Sequence, residues 1–290
     1  MKLCRFEVSG HKSLGILDGN FIVDLSSSNP EIFSEVDALV SAAREKEMSI
    51  GELIRIYVKG ARRIGCEETR LRIPLVPTEV WGAGVTYLRS REAREIETRT
   101  KGLYDQIYSD ERPEIFLKGS GKRCVGPEEP IGIRSDSVWT VPEPELALLL
   151  DWDANIIGYT IANDVSARDI EGQNPLYLPQ AKIFKGCCAI GPVITTQDEI
   201  ANPLSLQIEM RVLRSGKSVF EGKVSTSMMK RKVTELVQFL KRDNILFGCT
   251  ILMTGTGIVP PDDFSLKHDD VVEIDVEKIG RLRNPVIKLT

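Results

Sequence analysis

The sequence predicts an α+β protein, mainly β, in two parts: a small α+β N-terminal unit over residues 1–75 and a larger, β-rich unit over 76–290. Strand-like runs recur along the whole chain, whereas helical spacing is confined to residues 32–46, 50–58 and 229–242 and a polar stretch over 87–110. Pro74-Leu75-Val76-Pro77 separates the two parts, because closely spaced prolines suppress helix and punctuate elements. At 290 residues, with 42% hydrophobic and 28% charged content, the chain has the length and composition of one large or two modest globular domains.

Bulk properties exclude several classes of function. A net charge of −4 gives no basis for binding nucleic acid or an anionic membrane. The longest apolar runs fall far short of the roughly 20 residues that span a bilayer. Met1-Lys2-Leu3-Cys4-Arg5 lacks an apolar signal core, so a cytoplasmic location is expected. Cys4, Cys66, Cys124, Cys187, Cys188 and Cys249 have no CxxC spacing, which disfavours a zinc site and a disulfide framework. The two histidines, His11 and His268, both fall in polar surroundings, so a His-dependent mechanism has little support.

In the N-terminal unit, residues 2–8 and 13–25 read as strands with a turn at Asp18-Gly19-Asn20, and two helices follow. No chemistry declares itself there. Residues 79–85 form a strand ending in Gly82-Ala83-Gly84, where glycines let something approach the backbone closely; as a phosphate signal this is weak. The next stretch carries Arg89, Arg91, Glu92, Arg94, Glu95, Glu97, Arg99 and Lys101. It fits a solvated helix with i,i+4 pairs, or a mobile lid hinged near Tyr87, Arg89 or Ser90. In Arg112-Pro113-Glu114-Ile115-Phe116-Leu117-Lys118, alternation puts Glu114, Phe116 and Lys118 on one face. An acid sharing a face with an aromatic is unusual for plain core, which makes Glu114 a candidate base.

The chemistry concentrates in the next hairpin. Glu143 and Glu145 are two apart and leave the same face of an extended chain. The apolar run at 146–150 reads as buried strand, Asp151-Trp152-Asp153-Ala154-Asn155 as a turn, and the return strand ends at Asp164. Folding the hairpin about its middle sets Glu143 opposite Asp164. Glu-Pro-Glu alone fits a solvated strand edge better, since Pro144 has no N–H for a ladder; the buried run and the returning acid reverse that and favour a site. Three converging carboxylates suit a hard divalent cation, Mg²⁺, Mn²⁺ or Ca²⁺. With such an ion the three acids keep one net negative charge, which would stabilise the ammonium of Lys182, set in an apolar neighbourhood, and let it hold an anionic substrate. Lys185 reads as solvated. Further on, 204–213 and 217–224 form a hairpin, and Thr254-Gly255-Thr256-Gly257 offers N–H and hydroxyl donors to a carboxylate.

Glu143-x-Glu145, Asn163-Asp164-Val165-Ser166-Ala167-Arg168-Asp169, Lys182, Gly191-Pro192 and Thr254-Gly255-Thr256-Gly257, in this order and spacing, resemble the fumarylacetoacetate hydrolase family over most of 76–290. The resemblance implies mixed β-sheets rolled around a metal site, with Glu143, Glu145 and Asp164 as ligands and Mg²⁺ the expected ion. It makes Lys182 a catalytic or substrate lysine beside Glu114, and makes Thr256 a carboxylate binder. Arg168 and Glu171 stand where the family supports the site, and the substrate-binding set is completed by Gly255, Tyr87, Arg89 and Phe116. Hydrolytic members place a histidine where this chain has Ser90 in Thr86-Tyr87-Leu88-Arg89-Ser90. The chain is instead similar to a branch that dehydrates 2-keto-3-deoxy sugar acids in pentose catabolism, on Arg112-Pro113-Glu114-Ile115-Phe116, Arg134-Ser135-Asp136-Ser137-x-Trp139-Thr140 and Asn174-Pro175-Leu176-Tyr177-Leu178-Pro179-Gln180. The expectation is a metal-dependent hydro-lyase acting on a small 2-oxo acid, in a homodimer or homotetramer. The alternatives are an acylpyruvate-type hydrolase, a 2-oxo acid decarboxylase, and a non-catalytic 2-oxo acid binder.

Overall fold

The computed structural model describes residues 1–97 and 102–290. The N-terminal part contains β1 (Lys2–Val8), β2 (His11–Asp18), β3 (Phe21–Asp24), α1 (Val36–Glu45), α2 (Ile50–Tyr57), β4 (Arg62–Gly65) and β5 (Arg70–Arg72). Asp18 pairs with Phe21, so Gly19 and Asn20 form a two-residue hairpin turn, with Gly19 at φ +59°. α1 begins four residues after the predicted start, because the Asn29 side chain accepts the N–H groups of Glu31 and Ile32 and holds a turn there. α2 starts where spacing predicts, on a capping box between Ser49 and Glu52.

The larger part supplies β6 (Val80–Gly84), α3 (Leu88–Glu97), α4 (Leu103–Ser109), β7 (Glu114–Gly119), β8 (Cys124–Val125), β9 (Ile131–Ile133) and β10 (Thr140–Val141). After these come β11 (Pro144–Leu150), β12 (Ile156–Asp164), β13 (Ser166–Ala167), α5 (Arg168–Gln173), α6 (Leu178–Lys182) and β14 (Cys188–Thr196). The chain closes with β15 (Gln207–Arg214), β16 (Lys217–Ser225), α7 (Val233–Lys241), β17 (Thr250–Met253), β18 (Val271–Val276) and β19 (Gly280–Lys288).

Two segments differ from their sequence reading. The polar stretch over 87–110 is two helices, not one, and Gly102 at φ +79° precedes the second. Arg99 and Lys101 lie outside the described residues, as does the side chain of Glu97. The helix predicted over 229–242 begins at Val233. Met229 bridges to Tyr87, the Lys230 N–H donates to the Thr86 carbonyl, and Arg231 donates to the Glu111 carbonyl. That stretch is therefore committed to the turn after β6 before the helix can start.

One mixed sheet runs β4-β3-β2-β1-β14-β12-β11-β17-β6-β7, with β5 on β1 and β8 on β14; a second runs β16-β15-β18-β19-β9. The N-terminal strands continue the main sheet, since β1 pairs with β14 at Lys2–Thr195 and Leu3–Ile194. All seven residues of β11 are buried, as expected for a central strand covered on both faces. Its turn is gripped from outside: Arg44 of α1 pairs with Asp153 at 3.0 Å and lies over the Trp152 ring, while Lys241 of α7 donates to the Asp153 carbonyl.

Candidate active site

Strand directions explain why distant residues meet. β12 and β17 both run antiparallel to β11, β6 runs parallel to β17, and β7 antiparallel to β6. The start of β11, the ends of β12, β17 and β6, and the start of β7 therefore lie along one edge of the sheet. That edge carries Glu143 and Glu145, Asp164, Gly255 and Thr256, Tyr87 and Glu114. The Asp164 N–H donates to the Glu143 carbonyl at 2.9 Å, so the two acids face each other as the folded hairpin predicts. A bulge between Leu149 and Leu150 shifts only the far end of the register.

Glu143, Glu145 and Asp164 are buried, and each offers an oxygen within 4.8 Å of those of the others. Cations crowd in on them. Lys182 donates to Glu143 Oε2 at 2.9 Å, to Asp164 Oδ2 at 3.0 Å and to the Ser166 hydroxyl at 2.6 Å, with its ammonium 5.5 Å from the Phe116 ring centre. Lys118 stands 2.6 Å from Asp164 Oδ1. Glu143 Oε1 receives Arg168 at 2.8 Å and Arg94 at 2.9 Å, and Arg94 also holds Glu171. The Gly255 N–H donates to Glu145 Oε2 at 2.5 Å.

These contacts set the charge states. Burial, the strongest influence on Glu143, pushes its carboxyl up, but Lys182, Arg168 and Arg94 together hold it well below the usual carboxylate range. Glu171 is lowered likewise, against burial, by Arg94, Lys182 and Arg168. At Glu145 the opposing pull of the Gly255 N–H and Lys182 is outweighed: burial, then Asp164 and Glu143, raise it well above its ordinary value. Glu114 is pushed up to about 7 by burial and by Glu171, against Arg94 and Lys182. Lys182 is raised by Asp164, Glu143 and Glu171 although burial works the other way, and stays cationic at neutral pH. The donor set fits a hard dication: three converging carboxylates, one of them charged only at a cost that a positive ion would remove.

The cavity at this edge is about 20 Å³ in volume, and Ser90, Arg94, Glu114, Phe116, Glu171, Lys182, Gly255 and Thr256 share its lining with the three acids. The glycines of β6 make it possible. A Cβ on Gly84 would stand 2.0 Å from Glu114 Oε2, and one on Gly82 2.6 Å from Phe116 Cζ, so each clears room for its cross-strand partner. Gly255, at φ +92°, brings its N–H onto Glu145 where a Cβ would meet Thr86 Oγ1 at 2.0 Å. The Thr256 hydroxyl reaches the Ile258 carbonyl at 3.2 Å. Tyr87 is buried, and its hydroxyl has no hydrogen-bond partner among the described residues; burial, then Glu145, raise it. Arg89 is exposed and lies near Glu92, away from the cavity. The arginine that reaches in is Arg94. Lys185, His11 and His268 are exposed. Larger grooves of about 580 and 950 Å³ lie beside α2 and against β2; among the described residues neither holds three converging acids.

Comparison with known proteins agrees with this geometry. The family model for the fumarylacetoacetate (FAA) hydrolase C-terminal region matches residues 79–287. The chain belongs to the fumarylacetoacetate hydrolase family. Within the family it is 46% identical to the 2-dehydro-3-deoxy-D-arabinonate dehydratase of Saccharolobus solfataricus, over 99% of this chain and 97% of that protein. It is 38% identical to a probable 2-keto-3-deoxyxylonate dehydratase of Haloferax volcanii, over 97% and 98% of the two chains. Among solved structures, a 2-keto-3-deoxy-D-arabinonate dehydratase complexed with magnesium and 2,5-dioxopentanoate superposes with a TM-score of 0.83 at 43% identity, covering 100% of this chain and 99% of that one. No helix among the described residues is long and apolar enough to cross a membrane.

Proposed function

We propose that this family member catalyses the Mg²⁺-dependent dehydration of 2-keto-3-deoxy-D-arabinonate to 2,5-dioxopentanoate, a step of pentose catabolism. The observation that carries the reading is the buried meeting of Glu143, Glu145 and Asp164 with Lys182 and Glu114 in one cavity. The likeness to two dehydratases over almost the whole chain supports the choice of reaction. Glu143, Glu145 and Asp164 would hold the Mg²⁺, which when bound supplies Lewis acidity at the substrate's C2 ketone.

Lys182, cationic at neutral pH, binds and orients the anionic 2-oxo acid and can give a proton but not take one. Glu114, poised at about 7, is then the base for the C3 proton. The C4 hydroxyl departs as water with a proton from Lys182, leaving a C3–C4 double bond. A proton next leaves C5 for the now neutral Lys182 amine, restoring its charge, while one returns to C3 from Glu114, and the resulting C5 enol tautomerises to the aldehyde. One water is lost overall. Thr256 and Gly255 line the cavity as donors to the substrate carboxylate, the Thr256 hydroxyl leaving the Ile258 carbonyl and the Gly255 N–H leaving Glu145 to serve it, and Phe116 walls the site. The cavity of about 20 Å³ has room for about one water, so substrate must move the Arg94 side chain and α3 as it binds. Ser90, at the position of the hydrolytic histidine, returns its hydroxyl to the Tyr87 carbonyl and is no base for water, which disfavours C–C hydrolysis.

Proton NMR after incubation with 2-keto-3-deoxy-D-arabinonate tests the reaction. The expected result is an aldehyde product with Mg²⁺ and none with chelator; unchanged substrate in both would overturn it. We also read the protein as cytoplasmic and as a homodimer or homotetramer. Light scattering of the purified protein checks the oligomeric state.

A further inference from the structure

Asp164 carries a different lysine on each oxygen. Lys182 Nζ lies 3.0 Å from Oδ2 and also 2.9 Å from Glu143 Oε2, so it stands between two of the three acids. It lines the cavity, and its other bond goes to the Ser166 hydroxyl. A dication binding those oxygens has to displace this ammonium. Lys118 is placed otherwise. Its Nζ is 2.6 Å from Oδ1, donates to the Val165 carbonyl at 2.9 Å and lies 5.5 Å from the Phe184 ring centre, and its side chain is 0% exposed. It stays outside the cavity lining, and nothing about ion binding at Oδ2 requires it to move.

We propose that Lys118 is a positioning residue that withholds Asp164 Oδ1 from the bound ion, so that Asp164 supplies one oxygen and the site discriminates Mg²⁺ from Ca²⁺. The inference rests on the reading of Glu143, Glu145 and Asp164 as the metal site. Ca²⁺ takes six to eight oxygens and readily uses a carboxylate bidentately, whereas Mg²⁺ demands a small octahedron and keeps waters. An Asp164 with both oxygens free would serve the larger ion; one with an ammonium 2.6 Å from Oδ1 serves the smaller. Removing Lys118 also removes a positive charge, but both ions are dications, so that change affects them alike and cancels in the ratio of their affinities.

The test is calorimetric titration of the full-length protein with Mg²⁺ and with Ca²⁺, in wild type and in Lys118→Met, together with a crystal structure of the Mn²⁺-loaded wild type. The expected result is a shift of the Ca²⁺:Mg²⁺ affinity ratio toward Ca²⁺ by about tenfold in Lys118→Met, the lower end of what residues supporting a metal ligand change. Lys182→Met, which acts on the cavity side, should leave that ratio near its wild-type value. A folded Lys118→Met with an unchanged ratio overturns the proposal. The wild-type Mn²⁺ structure decides independently if that variant does not fold: one Asp164 oxygen on the ion with Lys118 still on the other supports the proposal, and a bidentate Asp164 overturns it. Wild-type protein that binds neither ion would remove the metal-site reading itself, a different outcome from binding with an unmoved ratio.

Discussion

A carboxyl buried beside another carboxylate gives up its proton late, and Glu114, pushed up to about 7 by burial and by Glu171, does so near neutrality. As a base it works only when ionised, so kcat/KM should rise with pH through about 7 and flatten above it. Glu114→Gln should lower kcat at least about 100-fold and erase that limb of the pH profile. Stability moves in the opposite sense. A carboxyl raised in the folded state contributes fully below its unfolded value, and the contribution is lost as pH climbs through the folded value. Glu114→Gln should therefore stabilise the protein at pH 8 relative to wild type, by about 1–3 kcal/mol, and change it little at pH 4, which thermal melts at the two pH values would show. Lys182→Met should abolish turnover yet tighten Mg²⁺ binding, because the ammonium competes for Glu143 Oε2 and Asp164 Oδ2. At this scale the three acids were legible, since a spacing of two and a hairpin fold bring them together from local rules alone. Arg94 was not. It sits among many charged residues, and which of them turns inward is decided by Glu143 and Glu171, far away in sequence. Once Arg94 points in, Arg89 cannot: five residues on a helix separate them by about 140°, while Ser90, four residues before Arg94, shares its face.

Arg94 ties helix α3 to the site. Arg94 spans two buried carboxylates, and charge-assisted bonds of this kind are worth about 1.5–3 kcal/mol each. Arg94→Ala should let α3 open more often, with amide exchange over 88–97 faster by roughly thirtyfold, the equivalent of about 2 kcal/mol. Unchanged exchange would mean that the helix is fixed by its apolar contacts instead. On the neighbouring strand, Gly84→Ala forces a methyl to within 2.0 Å of Glu114 Oε2. Its expected signature is lost kcat with Mg²⁺ binding intact, because Glu143, Glu145 and Asp164 lie on other strands. Element types were largely readable from spacing, the strands best of all. Boundaries failed where long-range contacts claimed the chain, as the Thr86 carbonyl claims the Lys230 N–H and the Glu111 carbonyl claims the Arg231 guanidinium ahead of α7.

At the scale of the whole molecule, the sequence reads as two units divided near Pro74–Pro77, while the main sheet passes from one to the other through β1 and β14. Composition and punctuation report where a chain changes character; they carry no information on which strands pair across the change. A chain truncated to residues 76–290 would keep β8 on Cys188 and Ala189 but bare β14 at Ile194 and Thr195, and such an exposed edge recruits strands from other molecules. It should aggregate on expression, whereas a monodisperse fragment with an intact circular dichroism spectrum would show that the larger unit is self-sufficient.

The hairpin of β11 and β12 carries all three acids at its open end and is tied at its closed end by Arg44 and Lys241. Strand backbone in the middle of a sheet has little freedom left to lose, so an arriving ion finds its ligands already near their final places. Such a centre behaves as a stiff chelator: the ion must accept the spacing it meets, and little ordering entropy is surrendered on capture. Affinity then depends on how well the ion's radius suits the frame, and the motion that lets substrate enter falls to the Arg94 side chain and α3.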